Sequence, residues 1–345
     1  MKYAFIDKSQ LWHKTTFDML PEIETSDDIQ IYPIEYSPGI DEPIDQWMQL
    51  VIDGTNKEFI KHNNVRVVLF DLFEASKFVY TAAQLLNKHL QKKIYVITCD
   101  QLLPNQSTND LHFIFHNFWS ACMYPQNRPC KYFSNKLYIN CTRVARPHRA
   151  QLIEELINND LFDLGYNTIS NKGNELTNYF SNNPTSKIPN QKFDVLDVSD
   201  LININPNNFV PTKQCKRSFV YIATETLVDN TRLFFSEKVY KPIAIGMPFM
   251  ILGNPGTLKS LKQMGYKTFD KWFNEDYDND INLSDRIKVI TDNLNYYRNF
   301  TPCELTNIRS KMRPIIKHNQ KVYRQQFVEF DAERLRPVIQ GIINE

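Results

Sequence analysis

Glycine is scarce in this chain, nine of 345 residues, and neither G-x-G-x-x-G nor G-x-x-x-x-G-K-[ST] occurs. The two commonest glycine-built phosphate loops are therefore excluded, and a nucleotide would have to be gripped by side chains and helix ends. Net charge is equally short: 40 Lys and Arg against 39 Asp and Glu leave +1. With no overall field to draw the surface onto duplex DNA or an anionic membrane, a nucleic-acid role would need a local basic patch. No apolar run approaches the roughly 18 to 20 residues of a spanning helix, which predicts no membrane span. The six cysteines (Cys99, Cys122, Cys130, Cys141, Cys215, Cys303) contain no C-x-x-C pair and read as buried apolar thiols. The opening MKYAFIDKSQLWHK interrupts its apolar residues with Asp7 and Lys8 and has no small-residue cleavage site, so a signal peptide is not expected. A reducing, cytoplasmic setting follows as the expectation.

What is present is enough for two sizeable cores. At roughly 150 residues per domain, the length predicts about two domains, and 42% apolar with 13% aromatic residues can fill them. Short runs rich in Val, Ile, Tyr and Phe predict strands at Tyr3–Ile6, Val65–Phe70, Lys93–Thr98 and Leu137–Asn140. Between them, Lys77–His89 and Gln151–Leu161 repeat apolar residues every three or four positions and predict helices. Alternating strand and helix favours an α/β fold with a mainly parallel sheet. From 167 to 208 the chain becomes dense in Asn, Ser and Pro and reads as an excursion and linker. A second alternating unit follows: a strand at Ser218–Thr224, a helix at Glu237–Ile245, a strand at Pro248–Leu252, and helices at Thr257–Met264, Ser284–Tyr297, Pro302–Ile316 and Lys321–Ile343. The expected domains are 1–170, an excursion at 171–210, a second domain at 211–320, and a C-terminal helix at 321–345.

Chemistry concentrates in SFVYIATETLVDNTRLFFSEKVYKPIAIGMPFMILGNPG. A strand runs into Glu225, and Ser236, Glu237 and Lys238 open a helix. Ser236 suits the N-cap, and Glu237 in the first turn complements the helix dipole. Lys238 opposes that dipole unless amides and ammonium converge on one anion. A second basic cluster, Arg143, Arg146, His148 and Arg149, lies where the strand ending at Asn140 meets a helix. Its guanidiniums repel unless an anion or carboxylates sit among them, and the strand C-terminal edge is where open α/β sheets bind ligands. Pairing with Glu154 and Glu155 is the alternative.

Together these two segments resemble the fucosyltransferase-like branch of the GT-B glycosyltransferases, of bacterial and viral type. The elements carrying the resemblance are Asn140 and Arg149, then Glu225, the Ser236-Glu237-Lys238 triplet, Gly246, Pro248 and Gly253. It spans 137–170 and 218–278, with Ser236 where the family usually has Thr. The resemblance implies a GT-B-like fold, two Rossmann-like domains facing a cleft, with the C-terminal one holding a nucleotide-sugar donor. It places Arg149 and Lys238 on the diphosphate, Arg146 beside them, Glu237 near the ribose and Glu225 beside the donor sugar. Fucose itself is not implied.

Such a site implies inverting displacement at the anomeric carbon. A carboxylate takes the acceptor proton while Arg149, Lys238 and a helix end stabilise the leaving diphosphate, with neither metal nor cofactor required. Asp71 and Glu74 follow the strand VRVVLF and are the candidate bases, with Asp100 after them. DYDND at 276–280 reads as a solvated acidic loop rather than a metal site. His112 and His116 lie in a stretch that reads as a strand and lack a third ligand. Phe234, Phe235, Trp272 and Phe273 read as core, with Trp272 the residue among them best suited to a sugar platform. The expected partners are a nucleotide sugar and a hydroxyl acceptor such as a glycan. A non-catalytic nucleotide-sugar-binding or scaffold protein, and a transferase acting on hydroxymethylated DNA bases, are the alternatives. The Asn- and Lys-rich usage fits an AT-rich viral or bacterial gene.

Overall fold

The structure, a computed structural model, describes residues 29–36, 44–54, 60–71, 78–116, 133–142, 144–169, 175–188, 211–228, 232–279, 282–327 and 332–345. Its strands are β1 (Gln30–Glu35), β2 (Val65–Asp71), β3 (Ile94–Thr98), β4 (Leu111–Phe115), β5 (Lys136–Cys141), β6 (Gly165–Thr168), β7 (Ser218–Thr224) and β8 (Phe249–Leu252). The helices are α1 (Asp45–Gly54), α2 (Val79–Leu90), α3 (Pro147–Asn158), α4 (Glu175–Asn182), α5 (Thr212–Arg217) and α6 (Glu237–Ile245). They continue with α7 (Thr257–Gln263), α8 (Leu283–Tyr297), α9 (Pro302–Lys311), α10 (Arg313–Phe327) and α11 (Ala332–Asn344). None of the described helices is long and apolar enough to cross a membrane.

Two four-stranded sheets result, ordered β1-β2-β3-β4 and β6-β5-β7-β8, and every pairing is parallel. Parallel neighbours require crossovers, which explains the strand–helix alternation legible in the sequence. In β2 only Arg66 escapes full burial, and in β7 nothing does. Such continuous apolar runs belong to strands covered on both faces. Helix α2 buries Val79, Ala82, Ala83, Leu86 and Leu90 on one stripe of the first core. Pro33 is tolerated in β1 because that strand is the sheet edge, where a missing N–H breaks no ladder.

The chain forms two compact units. One contains Met1–Ala121, Thr231–Phe234 and Gln326–Glu345, and the other Cys122–Asn230 and Phe235–Gln325. This corrects the expected boundary at 170. Strand β5 hydrogen-bonds to β7, Tyr138 opposite Val220 and Asn140 opposite Ile222, so 136–169 belongs to the second unit. Alternation reveals crossovers but not the sheet each strand joins. The C-terminal end is corrected too. The helix expected over Pro302–Ile316 breaks at Met312, and the one expected from Lys321 becomes the end of α10 followed by α11. Helix α11 belongs to the first unit, burying Leu335, Ile339, Ile342 and Ile343. The Glu345 carboxylate following it takes Lys93 Nζ at 2.5 Å, Tyr95 Oη at 3.1 Å and His112 Nδ1 at 3.1 Å. Helix α4 lies within the expected excursion, and the strand expected at Tyr3–Ile6 lies outside the described residues.

Gly165 opens β6 with its α-carbon against the Tyr138 ring, where a Cβ would overlap the ring carbons. The ring cannot retreat: Tyr138 is fully buried, and its hydroxyl accepts from Asn167 Nδ2 at 2.9 Å and reaches the Leu161 and Phe162 carbonyls at 3.3 Å. Gly165→Ala is expected to cost about 1–3 kcal/mol by overpacking, read as a lowered urea midpoint with unchanged m.

Candidate functional site

The candidate residues of the second unit gather at the C-terminal edge of its sheet, where β7 gives way to the loop before α6. The helix begins as the sequence predicts. Ser236 is the N-cap, its Oγ accepting from Lys238 N at 3.2 Å, and Glu237 occupies the first turn. Gly246 closes the helix in the left-handed region (φ 72°), with the Met247 amide on the Pro242 carbonyl at 2.8 Å. This is the bonding of a Schellman ending, and it returns the chain directly to β8.

Glu225 is the hub. It is 1% exposed, and its carboxylate accepts from Thr226 N at 2.9 Å, Ser236 N at 2.9 Å and Ser236 Oγ at 2.6 Å. Burial pushes its pKa above the usual carboxylate range, against the pull of Lys238 and the Ser236 and Thr226 bonds. A carboxylate this enclosed braces the loop. Three donors thus fix the carboxylate that the resemblance places beside a donor sugar. Gly253 follows β8 close to this brace: a Cβ there would lie 3.0 Å from Thr257 Oγ1 and 3.5 Å from Glu225 Cγ.

The basic cluster on α3 closes over the same loop from the other side. Arg149 donates from Nη1 to the Val144 carbonyl at 2.9 Å and from Nη2 to the carbonyls of Thr224 at 3.3 Å and Glu225 at 3.1 Å. Arg146 donates to the Thr226 carbonyl at 3.0 Å. Backbone carbonyls thus offset these guanidiniums. Among the described residues Glu154 instead holds Ser186 Oγ and Lys187 N, and Glu155 holds Asn159 Nδ2. Arg143 lies outside the described residues.

His148 sits between the two arginines with Nε2 2.9 Å from the Glu225 carbonyl, which can only accept, so Nε2 carries the proton. Burial, then Arg149, Arg146 and Arg286, hold its pKa down to about 3, so the ring is neutral near pH 7. Arg286 is a site residue the sequence reading did not single out. It is fully buried on α8 and donates to the carbonyl of Gly253 and, at 3.1 Å, to that of Val228. Its signal was its phase: Arg286, Ile290, Leu294 and Tyr297 fall on one buried stripe, where a cation requires a reason.

Lys238 is the accessible member, with a side chain 25% exposed. Its Nζ donates to Glu237 Oε1 at 2.9 Å, Thr226 Oγ1 at 3.2 Å and Ser236 Oγ at 3.3 Å. Burial opposes ionisation of Glu237, but Lys238 and Lys241 outweigh it and hold its pKa below the ordinary value. The first amides of α6 have internal partners, Ser236 Oγ for Lys238 N and the Ser236 carbonyl for Val239 N at 3.3 Å. Lys238 and Arg146 are the partly exposed cations of the group, while buried Arg149 and Arg286 fix the carbonyls behind them.

The candidate bases belong to the first unit. Asp71 ends β2 at 2% exposure, and its Oδ2 accepts from Thr98 Oγ1 at 2.7 Å. Glu74 lies outside the described residues. Asp100 is buried, its Oδ1 taking the amides of Leu102 at 2.9 Å and Leu233 at 3.2 Å. The DYDND loop is not simply solvated: buried Asp278 caps α7 from outside, accepting from Leu258 N at 2.7 Å and Lys259 N at 3.0 Å. It replaces the side chain that Gly256, the N-cap, cannot supply. His112 lies on β4 and His116 follows it. Among the described residues no group of three or more His, Cys, Asp or Glu could hold a metal ion.

The His148 environment makes a pH prediction. Its folded pKa of about 3 lies below the unfolded value of 6.5, so the native state binds fewer protons and stability falls as pH drops below 6.5. Between pH 7.5 and pH 5 this residue is expected to remove about 2 kcal/mol, from 1.36 kcal/mol per pH unit. His148→Gln, which keeps a donor for the Glu225 carbonyl, should flatten that part of the stability–pH curve measured by urea denaturation. Separately, Ser236→Ala removes the cap and one Glu225 donor and should cost about 1–3 kcal/mol, with Ser236→Thr close to the parent protein.

No protein-family model matches the chain, and no curated protein matches it.

Proposed function

We propose that the chain is a nucleotide-sugar-dependent glycosyltransferase, inverting and metal-independent, whose second unit grips the donor diphosphate. The observation that carries this reading is the excess of positive charge at one strand edge. Arg146, Arg149, Lys238 and Arg286 gather about Glu225 and Glu237, at the edge where open α/β sheets bind ligands. The pKa of His148 is lowered first by burial and then by Arg149, Arg146 and Arg286, so the same cations act on it in part. The resemblance of the Ser236-Glu237-Lys238 triplet to the fucosyltransferase-like GT-B enzymes supports a nucleoside diphosphate as the anion.

In this reading the diphosphate meets Lys238 and Arg146 directly. Arg149 and Arg286 act behind them, holding the loop and adding positive potential in a poorly solvated site. Charge developing on the leaving group falls where these cations are fixed beforehand, so little reorganisation accompanies the reaction. The chemistry also requires a carboxylate to take the acceptor hydroxyl proton, for which the sequence offers Asp71 and Glu74. Glu74 is the better candidate, since Asp71 is buried on Thr98. The acceptor is a hydroxyl of a glycan or similar molecule. A hydroxymethylated DNA base is the less favoured acceptor at a net charge of +1. The burial of Asp71 also favours, as a second reading, a nucleotide-sugar binder without turnover.

A thermal-shift screen of nucleoside diphosphates and their sugars is expected to raise Tm for one base, with or without chelator. Lys238→Ala and Arg146→Ala should each weaken that ligand about ten- to a hundredfold, the loss of a charge-assisted bond of roughly 1.5–3 kcal/mol. Unchanged affinity in both folded variants would remove the cluster as the donor site. Glu74→Gln should abolish transfer and donor hydrolysis while leaving binding intact. Binding without any turnover in the parent protein would select the second reading.

A further inference from the structure

At the far end of α8 from Arg286, three aromatic residues, Trp272, Tyr296 and Tyr297, line a concavity of about 400 Å³ within the second unit, inside the roughly 300–1,000 Å³ range of small-molecule sites. We propose that this concavity, between Trp272 and Tyr296, binds a neutral saccharide. Tyr296 is 69% exposed, yet its ring is held: Tyr297 meets it edge-on at 4.8 Å and 90°, and Phe300 lies at 5.7 Å. Tyr297 also fixes the other wall, donating its hydroxyl to the Trp272 carbonyl at 2.8 Å. Burial, with Tyr296 alongside, pushes that hydroxyl to about 12, so it remains a protonated donor across the physiological range. One buried tyrosine therefore packs on the Tyr296 ring and anchors the Trp272 backbone before any ligand arrives, which lowers the ordering cost of binding.

The polar groups of the same concavity define the ligand's charge. Asp292 already holds Lys288 Nζ at 2.6 Å, Asn293 is clamped to the Asn274 backbone through both ends of its amide, at 2.7 and 2.8 Å, and Lys271 is the remaining charge on the lining. Aromatic rings beside polar groups that are largely engaged within the fold suit a molecule with an apolar C–H face and hydroxyls at its edge. The concavity has a single lysine where the other site gathers four cations about Glu225 and Glu237. The two sites are also well apart. Eleven residues of α8 separate Arg286 from Tyr297, about 16 Å at 1.5 Å per residue. Tyr297 packs on Phe219 near the start of β7, whereas Arg286 reaches Gly253 beyond the end of β8. This inference does not rest on the donor reading.

The test uses the full chain titrated with maltose, cellobiose, lactose and chitobiose, followed by the indole N–H resonance of Trp272, assigned with Trp272→Phe. At least one sugar is expected to shift that resonance saturably, with dissociation constants on the order of 1 mM. Tyr296→Ala, a change at an exposed position, should weaken it about three- to tenfold, and Tyr296→Phe should restore it because the ring makes the contact. Nucleoside diphosphate affinity should be unchanged in both variants. The proposal is overturned if no sugar shifts the resonance, if Tyr296→Ala binds like the parent, or if an aromatic peptide or an anionic sugar binds more tightly than every neutral one.

Discussion

Burying the Glu225 carboxylate is the constraint on which the second unit's functional edge depends. A carboxylate removed from water is tolerable only when donors replace its hydration. Here the donors are the next residue's amide and the amide and hydroxyl of the residue that caps α6. The loop between Glu225 and Ser236 is thus pinned at both ends by one side chain. The cap, the first turn of the helix and Lys238 are positioned as consequences. Arg149 and His148 complete the arrangement by binding the carbonyl of that same residue. Glu225 therefore holds three elements in register, β7 through its backbone, α6 through its carboxylate and α3 through its carbonyl.

Much of the second unit was legible in the sequence because local chemistry and tertiary structure agree there. Ser218–Thr224 and Glu237–Ile245 have the boundaries that their apolar run and capping residues dictate. Less legible was whatever depends on partners distant in sequence. Strand β5 reads as a continuation of the first alternating series until its hydrogen bonds to β7 are seen. Strand β6, four residues opening on a glycine, carries too little β-forming character to be noticed alone. Asp278 looks like an exposed acid in an acidic run, since nothing local reveals that α7 starts on a glycine and needs a cap.

The site residues show the same division. Spacing identified Lys238, Arg146 and Arg149 as a basic grouping, but not that Arg149 spends its donors on three carbonyls while Arg146 and Lys238 remain at the surface. Arg286 and Arg309, two arginines 1% and 2% exposed that lie outside that grouping, work alike at opposite ends of β7. Arg286 ties α8 to the loops beyond the strand ends, and Arg309 ties α9 to the carbonyls of Cys215 and Ser218 at its start. A guanidinium suits this task because several donors in one plane can satisfy carbonyls from different segments.

The return of α11 to the first unit has a consequence for synthesis. That unit is assembled from residues at both extremes of the chain, whereas the second is complete once residue 325 has been made. On a ribosome, where N-terminal domains ordinarily fold first, the order is inverted. The second unit can reach its native sheet while the first still lacks the helix that buries Leu335, Ile339, Ile342 and Ile343. The earlier-made unit must wait, with part of its core uncovered, and chaperone demand should fall on the N-terminal half of the molecule.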